Sequence, residues 1–110
     1  MAYWLFLDDE RFPPSKPVHA DLVDLPCIIA RSYAEFVDTV LHHGCPLFVT
    51  FDHDLGRDKN GKDCANWLVS HLLSDMARLP ENFRYDVHSM NPVGAKNIRS
   101  LMDGFMTHCV

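Results

Sequence analysis

Four short runs with the pattern of strands divide the chain, and each ends abruptly in polar residues. Tyr3-Trp4-Leu5-Phe6-Leu7 is continuously apolar, as expected of a strand buried on both faces, and Asp8-Asp9 follow at once. Cys27 to Ala30 is a second run and ends in Arg31-Ser32. Leu47 to Phe51 reads as a central strand and ends in Asp52-His53-Asp54. Arg84 to His88 is the fourth, with Tyr85 and Val87 on one face, and passes into Ser89.

Between these runs the apolar period lengthens to that of helices. Ser32 is placed as an N-cap, with Glu35 three residues on completing a capping box. The helix behind it sets Tyr33, Phe36, Val37, Val40 and Leu41 on one face and stops at Gly44. A second helix is predicted from about Lys62 to Leu79, with Ala65, Leu68, Val69, Leu72, Leu73 and Met76 inward and Pro80 ending it. Asn91-Pro92 opens a third helix that buries Ile98, Leu101, Met102 and Phe105. From Asp8 to Pro26 the prolines at 13, 14, 17 and 26 leave room for no more than a short helical turn near His19 to Val23.

Strands alternating with helices imply right-handed crossovers and a parallel sheet. The expectation is a single α/β domain over residues 1–110: a small doubly wound, flavodoxin-like sheet in the order 2-1-3-4, with helices on both faces. In such a sheet every strand ends on the same edge, where ligands bind. Asp8-Asp9, Arg31-Ser32, Asp52-His53-Asp54 and His88-Ser89 then meet there.

Composition narrows the chemistry. Of 110 residues, 47% are hydrophobic and 23% charged, as in ordinary globular domains. A formal net charge of −5 argues against an extended nucleic-acid groove, yet is compatible with recognition of one phosphate at a bound cation. The four cysteines form no C-x-x-C pair, which excludes a zinc ribbon or thioredoxin-type motif and favours a reducing, cytoplasmic setting. The run Tyr3–Leu7 is too short for a signal peptide or membrane span, so no membrane partner is expected. Oligomeric state is left open.

Asp8, Asp9 and one of Asp52 or Asp54 offer the hard oxygen ligands that magnesium or manganese prefers, and these are placed ahead of zinc. His53 and His88 are candidates for general acid and base, one activating water and the other protonating the leaving oxygen, with Asp52 beside them. Arg11 and Arg31 are the cationic forks for phosphate oxygens, and Ser89 is a hydrogen-bonding partner. Amides around Val93 and Gly94 could add an anion site. Blander readings stand beside these: a turn for Asp8-Asp9, a core histidine for His88, ion pairs for both arginines. For His42-His43 a favourable contact with the helix C-terminus is preferred, and for Trp67 a place in the core. Asp58, Lys59 and Lys62 read as an exposed loop.

Leu7-Asp8-Asp9-Glu10-Arg11 with Pro13, Arg31-Ser32, Phe51-Asp52-His53-Asp54-Leu55-Gly56, and His88-Ser89 with Asn91-Pro92 and Gly94 together resemble the cyclic-phosphate-processing receiver-like domains. These are relatives of response-regulator receivers. The resemblance spans about Leu5 to Ile98. It implies a receiver-like sheet and action on a cyclic phosphate, either a 2′,3′-cyclic RNA end or a cyclic nucleotide. Measured against ordinary receivers, Asp8 and Asp9 match the acidic pair, Asp52 the phosphoacceptor and Ser89 the Ser/Thr position. The Lys that receivers carry after a fifth strand has no counterpart, because Lys96 falls inside a helix. Three readings result: a metal-assisted phosphoesterase, a phosphorylated signalling module, and a non-catalytic protein that captures a phosphorylated ligand. The first is preferred.

Overall fold

The computed structural model describes residues 2–17, 19–56, 59–74 and 79–108. Met76 and Asp58, placed from sequence in the second helix and the following loop of the third strand, lie outside these, as does Cys109. The strands are β1 (Trp4–Leu7), β2 (Cys27–Ala30), β3 (Phe48–Phe51) and β4 (Arg84–Val87). All pair in parallel, in the order β2-β1-β3-β4.

The register matters most for function. Leu7 lies beside Ala30 and Phe51, and Phe51 beside Val87, so the four strands end flush. The next residues in line across the sheet are Arg31, Asp8, Asp52 and His88. The ladder continues through three of them: Asp8 N donates to Ala30 O (3.1 Å), Asp52 N to Leu7 O (3.0 Å) and His88 N to Phe51 O (3.0 Å). The first polar residue beyond β1, β3 and β4 is therefore held by sheet hydrogen bonds, not by a loose loop.

Helical elements cover both faces, unevenly. Leu5, Leu7, Val49, Phe51 and Val87 form the main core with α1 (Tyr33–His43), α2 (Gly61–Leu73) and α3 (Pro92–His108). The β2-α1-β3 and β3-α2-β4 crossovers step across the sheet in one direction, so their right hand sends both helices to one face. Trp4, Phe6 and Phe48 point the other way and are covered by Leu22 of a single 3-10 turn, Ala20–Leu22, with Leu25 packed alongside. The proline-rich β1-to-β2 connection, which cannot sustain a helix, accounts for that thin cover.

Helix ends follow local side chains. Ser32 Oγ accepts from Glu35 N (3.2 Å), but the Glu35 carboxylate accepts from Arg31 N (3.0 Å), so the expected capping box is only half formed. Leu41 is exposed rather than inward. α2 starts at Gly61 under a full capping box between Asn60 and Asp63. It stops at Leu73, short of the expected Leu79: Ser74 is its C-cap, with Ser74 Oγ donating to His71 O (2.9 Å), and Leu73 is exposed. Asn91 Oδ1 accepts from Gly94 N (2.9 Å) and so caps α3. Among the described residues no helix is long and apolar enough to cross a membrane, and no strand follows α3.

Candidate metal and phosphate site

Asp8, Asp52 and His88 each present a ligand atom, and these atoms lie within 4.8 Å of one another. They come from three adjacent strand ends, β1, β3 and β4. Asp8 is fully buried and Asp52 is 6% exposed. Asp8 Oδ1 accepts from the N–H groups of Glu10 (3.0 Å) and Arg11 (2.9 Å), while Oδ2 accepts from Arg11 Nε (2.9 Å) and lies 3.1 Å from His88 Nε2. Asp52 Oδ1 accepts from His53 N (2.9 Å) and lies 3.7 Å from Arg11 Nη2.

The two carboxylates differ electrostatically. Burial pushes the Asp8 carboxyl up, but the N–H donors of Arg11 and Glu10, the His88 ring and the Arg11 charge outweigh it and hold the group below its ordinary value. Burial also pushes Asp52 up, and the neighbouring Asp8 charge pushes it further. His88, the His53 N–H and Arg11 offset this only in part, so Asp52 stays above its ordinary value. The pocket thus holds more negative charge than its own cations balance. Two buried carboxylates and one imidazole nitrogen, short of positive charge, are a donor set suited to a divalent cation.

His88 is fixed from three sides. Its Nδ1 lies 2.8 Å from Thr50 Oγ1, its Nε2 faces Asp8, and its ring stacks on Phe6 at 4.7 Å with a 9° interplanar angle. Thr50 is a buried polar residue inside β3, one ladder step before the strand end. Without a cation, Nε2–H donates to Asp8 Oδ2 and Nδ1 accepts from the Thr50 hydroxyl; a cation at Nε2 would require the other tautomer, in which Nδ1–H donates to Thr50.

The other candidates divide around this cluster. Arg11 bridges Asp8 and Asp52 and is its nearest cation. Arg31 Nη1 donates to the carbonyls of Asp8 (3.1 Å) and Arg11, and its guanidinium lies over the Phe12 ring, 4.8 Å from the centroid. It therefore clamps the Asp8–Phe12 loop. Asp54 is not beside Asp8: its side chain is 68% exposed, and its Oδ1 lies 2.8 Å from His53 Nδ1. Burial by sheet and loop separates the two carboxylates, with Asp52 inward and Asp54 orienting the His53 ring. Asn91 Nδ2 also approaches Asp54 and His53 Nδ1, at 3.4 Å each. Ser89 Oγ accepts from Asn91 N (3.0 Å), leaving its own proton to donate. Asp9 turns away from the cluster, toward Gly56, where a Cβ on that glycine would stand 3.2 Å from Asp9 Oδ2.

Two glycines make this geometry possible. A Cβ on Gly61 would stand 1.8 Å from the Asp52 carbonyl oxygen, and Gly61 N donates to His53 O (2.7 Å). A Cβ on Gly94 would enter the His53 ring, 2.3 Å from Cγ. Sequence reading passed over Thr50 and Gly61. A lone Thr in an otherwise apolar buried strand was a usable signal for the first. Nothing local marks the second, since its neighbour in space is nine residues back in sequence.

A parallel 2-1-3-4 sheet with acidic residues at its C-terminal edge is a receiver-like α/β fold. The chain belongs to the cyclic-phosphate processing receiver domain family, whose sequence model matches residues 3–104. A similar solved structure is a fusion carrying the trimeric coiled-coil segment of yeast Spc42, at 19% identity and a TM-score of 0.56. The match covers 90% of this chain and 62% of that one, and at this identity the likeness concerns fold alone. Comparison with curated proteins gave no match.

Proposed function

We propose that the protein opens a cyclic phosphodiester by metal-assisted hydrolysis, acting on a nucleoside cyclic phosphate or a cyclic-phosphate RNA end. The observation that carries this reading is the convergence of Asp8, Asp52 and His88 within ligand distance at the strand ends of a chain from this family. These three residues would hold a divalent cation, magnesium or manganese ahead of zinc. Such a cation supplies Lewis-acid polarisation of a phosphoryl oxygen and charge neutralisation.

The protein's own groups do the rest. Arg11, already beside both carboxylates, binds a phosphoryl oxygen, and Ser89 donates its free proton to another. His88 serves as a ligand instead of a proton carrier: Thr50 holds its Nδ1, and Nε2, beside Asp8, is the nitrogen that would meet the cation. His53, oriented by Asp54, is then the group that transfers the proton. Water adds to phosphorus, one ring P–O bond breaks, and the proton removed from water is returned to the departing ribose oxygen.

Nucleoside 2′,3′-cyclic phosphates and RNA bearing the same end are the substrates to assay, with chelator and with manganese restored. Expected results are a monophosphate product, loss of turnover with chelator, and a fall of about 10²- to 10⁴-fold in His53→Ala with metal affinity retained. Absence of turnover with every divalent metal would sink the hydrolytic reading. Labelling of Asp52 by a small phosphodonor, or recovery of intact bound ligand, would point to signalling or capture.

Thr50→Val keeps the shape of the strand and removes the hydroxyl beside His88. Manganese affinity, read by titration, should fall roughly 10- to 100-fold, the usual effect of losing a partner behind a metal-binding histidine. An unchanged affinity would show that Thr50 does not orient the ring.

A further inference from the structure

A second feature adjoins the carboxylate–histidine cluster. A cleft of about 850 Å³ opens between the N-terminus of α1 and the loop after β3, lined by Asp9, Arg31, Tyr33, Glu35, Leu55 and Lys59, among others. Its size falls in the range of small-molecule sites, about 300–1,000 Å³. Arg31 and Asp9 join it to the cluster: Arg31 Nη1 holds the Asp8 carbonyl, and Asp9 directly follows Asp8. A group bound through phosphate at the cluster would extend into this cleft.

We infer that the cleft is the subsite for the nucleoside part of the substrate, with the Tyr33 ring as the platform on which the base stacks. This rests on the hydrolytic reading for the position of the phosphate. Three observations converge. Tyr33 is only partly buried and lines the cleft. Tyr33 packs against the main core, and the ammonium of the solvent-exposed Lys59 lies over its ring, 5.4 Å from the centroid, so one face of the ring is covered only by a surface side chain. Leu55, almost fully buried, supplies an apolar wall beside two carboxylates, Asp9 and Glu35. A planar base suits the ring and the leucine, and displaces or sandwiches against Lys59. The acceptor-only carboxylate of Asp9, at the border with the cluster, fits the ribose hydroxyl that ring opening frees and that adenosine 3′-monophosphate carries.

Both a free mononucleotide and an RNA end carry this terminal nucleoside. The test is a calorimetric titration in manganese with adenosine 3′-monophosphate, a short RNA ending in a 3′-phosphate, and base-free glycerol phosphate. Adenosine 3′-monophosphate should bind more tightly than glycerol phosphate. Tyr33→Ala should weaken nucleotide binding roughly 5- to 150-fold, the range of a lost base–aromatic stack, and leave glycerol phosphate unchanged. Tyr33→Phe should bind like wild type, which separates stacking from a folding defect. RNA binding at least as tight as the mononucleotide, and equally dependent on Tyr33, would identify the RNA end as the source; exclusion of the RNA would identify the free nucleotide. Equal affinities for adenosine 3′-monophosphate and glycerol phosphate, no nucleotide binding, or no effect of Tyr33→Ala would overturn the subsite. Turnover is not read in this titration, so loss of the hydrolytic reading would show separately, as nucleotide binding without cleavage.

Discussion

Asp52→Asn is expected to raise the melting temperature of the metal-free protein and to abolish its stabilisation by manganese. The wild-type carboxylate is 6% exposed, lies near Asp8, and is held above its ordinary pKa by burial and then by that neighbouring charge. Its ionised form therefore disfavours the native state at neutral pH. Asparagine keeps an oxygen for the His53 N–H and removes the charge. For a domain of this size about 1 kcal/mol corresponds to ~4–8 °C in melting temperature, so a gain of that order is readily measured. Manganese at about 100 times its dissociation constant would add ~2.7 kcal/mol to the wild type, which corresponds to roughly 10 °C or more, and close to nothing to the variant.

The pH dependence has opposite signs for the two acids. Because the native pKa of Asp52 is raised, its penalty is present above that value and disappears as pH falls through it. Because that of Asp8 is lowered, its contribution is complete at neutral pH and is lost as pH falls through the depressed value. Metal-free wild type should gain stability on mild acidification and lose it in stronger acid. The difference between wild type and Asp52→Asn across a pH series isolates the first effect. Equal melting temperatures at neutral pH, together with an unaltered manganese response in the variant, would contradict the assignment of Asp52 as the inner ligand.

Gly61→Ala, one added methyl group at the start of α2, is expected to be strongly damaging. Its Cβ would meet the Asp52 carbonyl oxygen at 1.8 Å, the Asp52 carbonyl carbon at 2.8 Å and His53 Cα at 3.0 Å. All three are backbone atoms beside the ladder bond from Asp52 N to Leu7 O, so no side chain can swing away to relieve the overlap. Either the start of α2 retreats, breaking the Gly61 N to His53 O bond, or the end of β3 moves and carries Asp52 out of the cluster. A destabilisation of roughly 2–4 kcal/mol follows, measured by denaturant unfolding. Manganese affinity should fall with it. A variant within about 0.5 kcal/mol of wild type would show that the loop yields at no cost.

Much of this geometry was legible in the chain. Three continuous apolar runs and the alternation of Tyr85 and Val87 located the four strands to within a residue, and Asn91-Pro92 marked the start of α3, because short-range pattern and capping chemistry decide those features. The end of α2 was less legible. Ala65, Leu68 and Leu72 are buried as the period requires, but Ser74 closes the helix through its own hydroxyl, a choice periodicity does not register. The pair Asp52 and Asp54 was ambiguous for a similar reason. Alternate residues near a strand end look alike in sequence, and only the last ladder hydrogen bond separates the buried one from the exposed one.

Strand character, the parallel arrangement and the delivery of Asp8, Asp52 and His88 to a common edge were thus determined by the sequence, since each follows from local hydrophobic period and from the chirality of crossovers. Tertiary structure decided the rest: that Thr50 stands behind His88, that Arg31 grips two carbonyls of the Asp8–Phe12 loop, that Asp9 faces the neighbouring cleft, and that Gly61 and Gly94 leave room for Asp52 and His53. Each of those depends on how close two distant segments come, and that distance is set by the assembled core, not by any neighbouring residue.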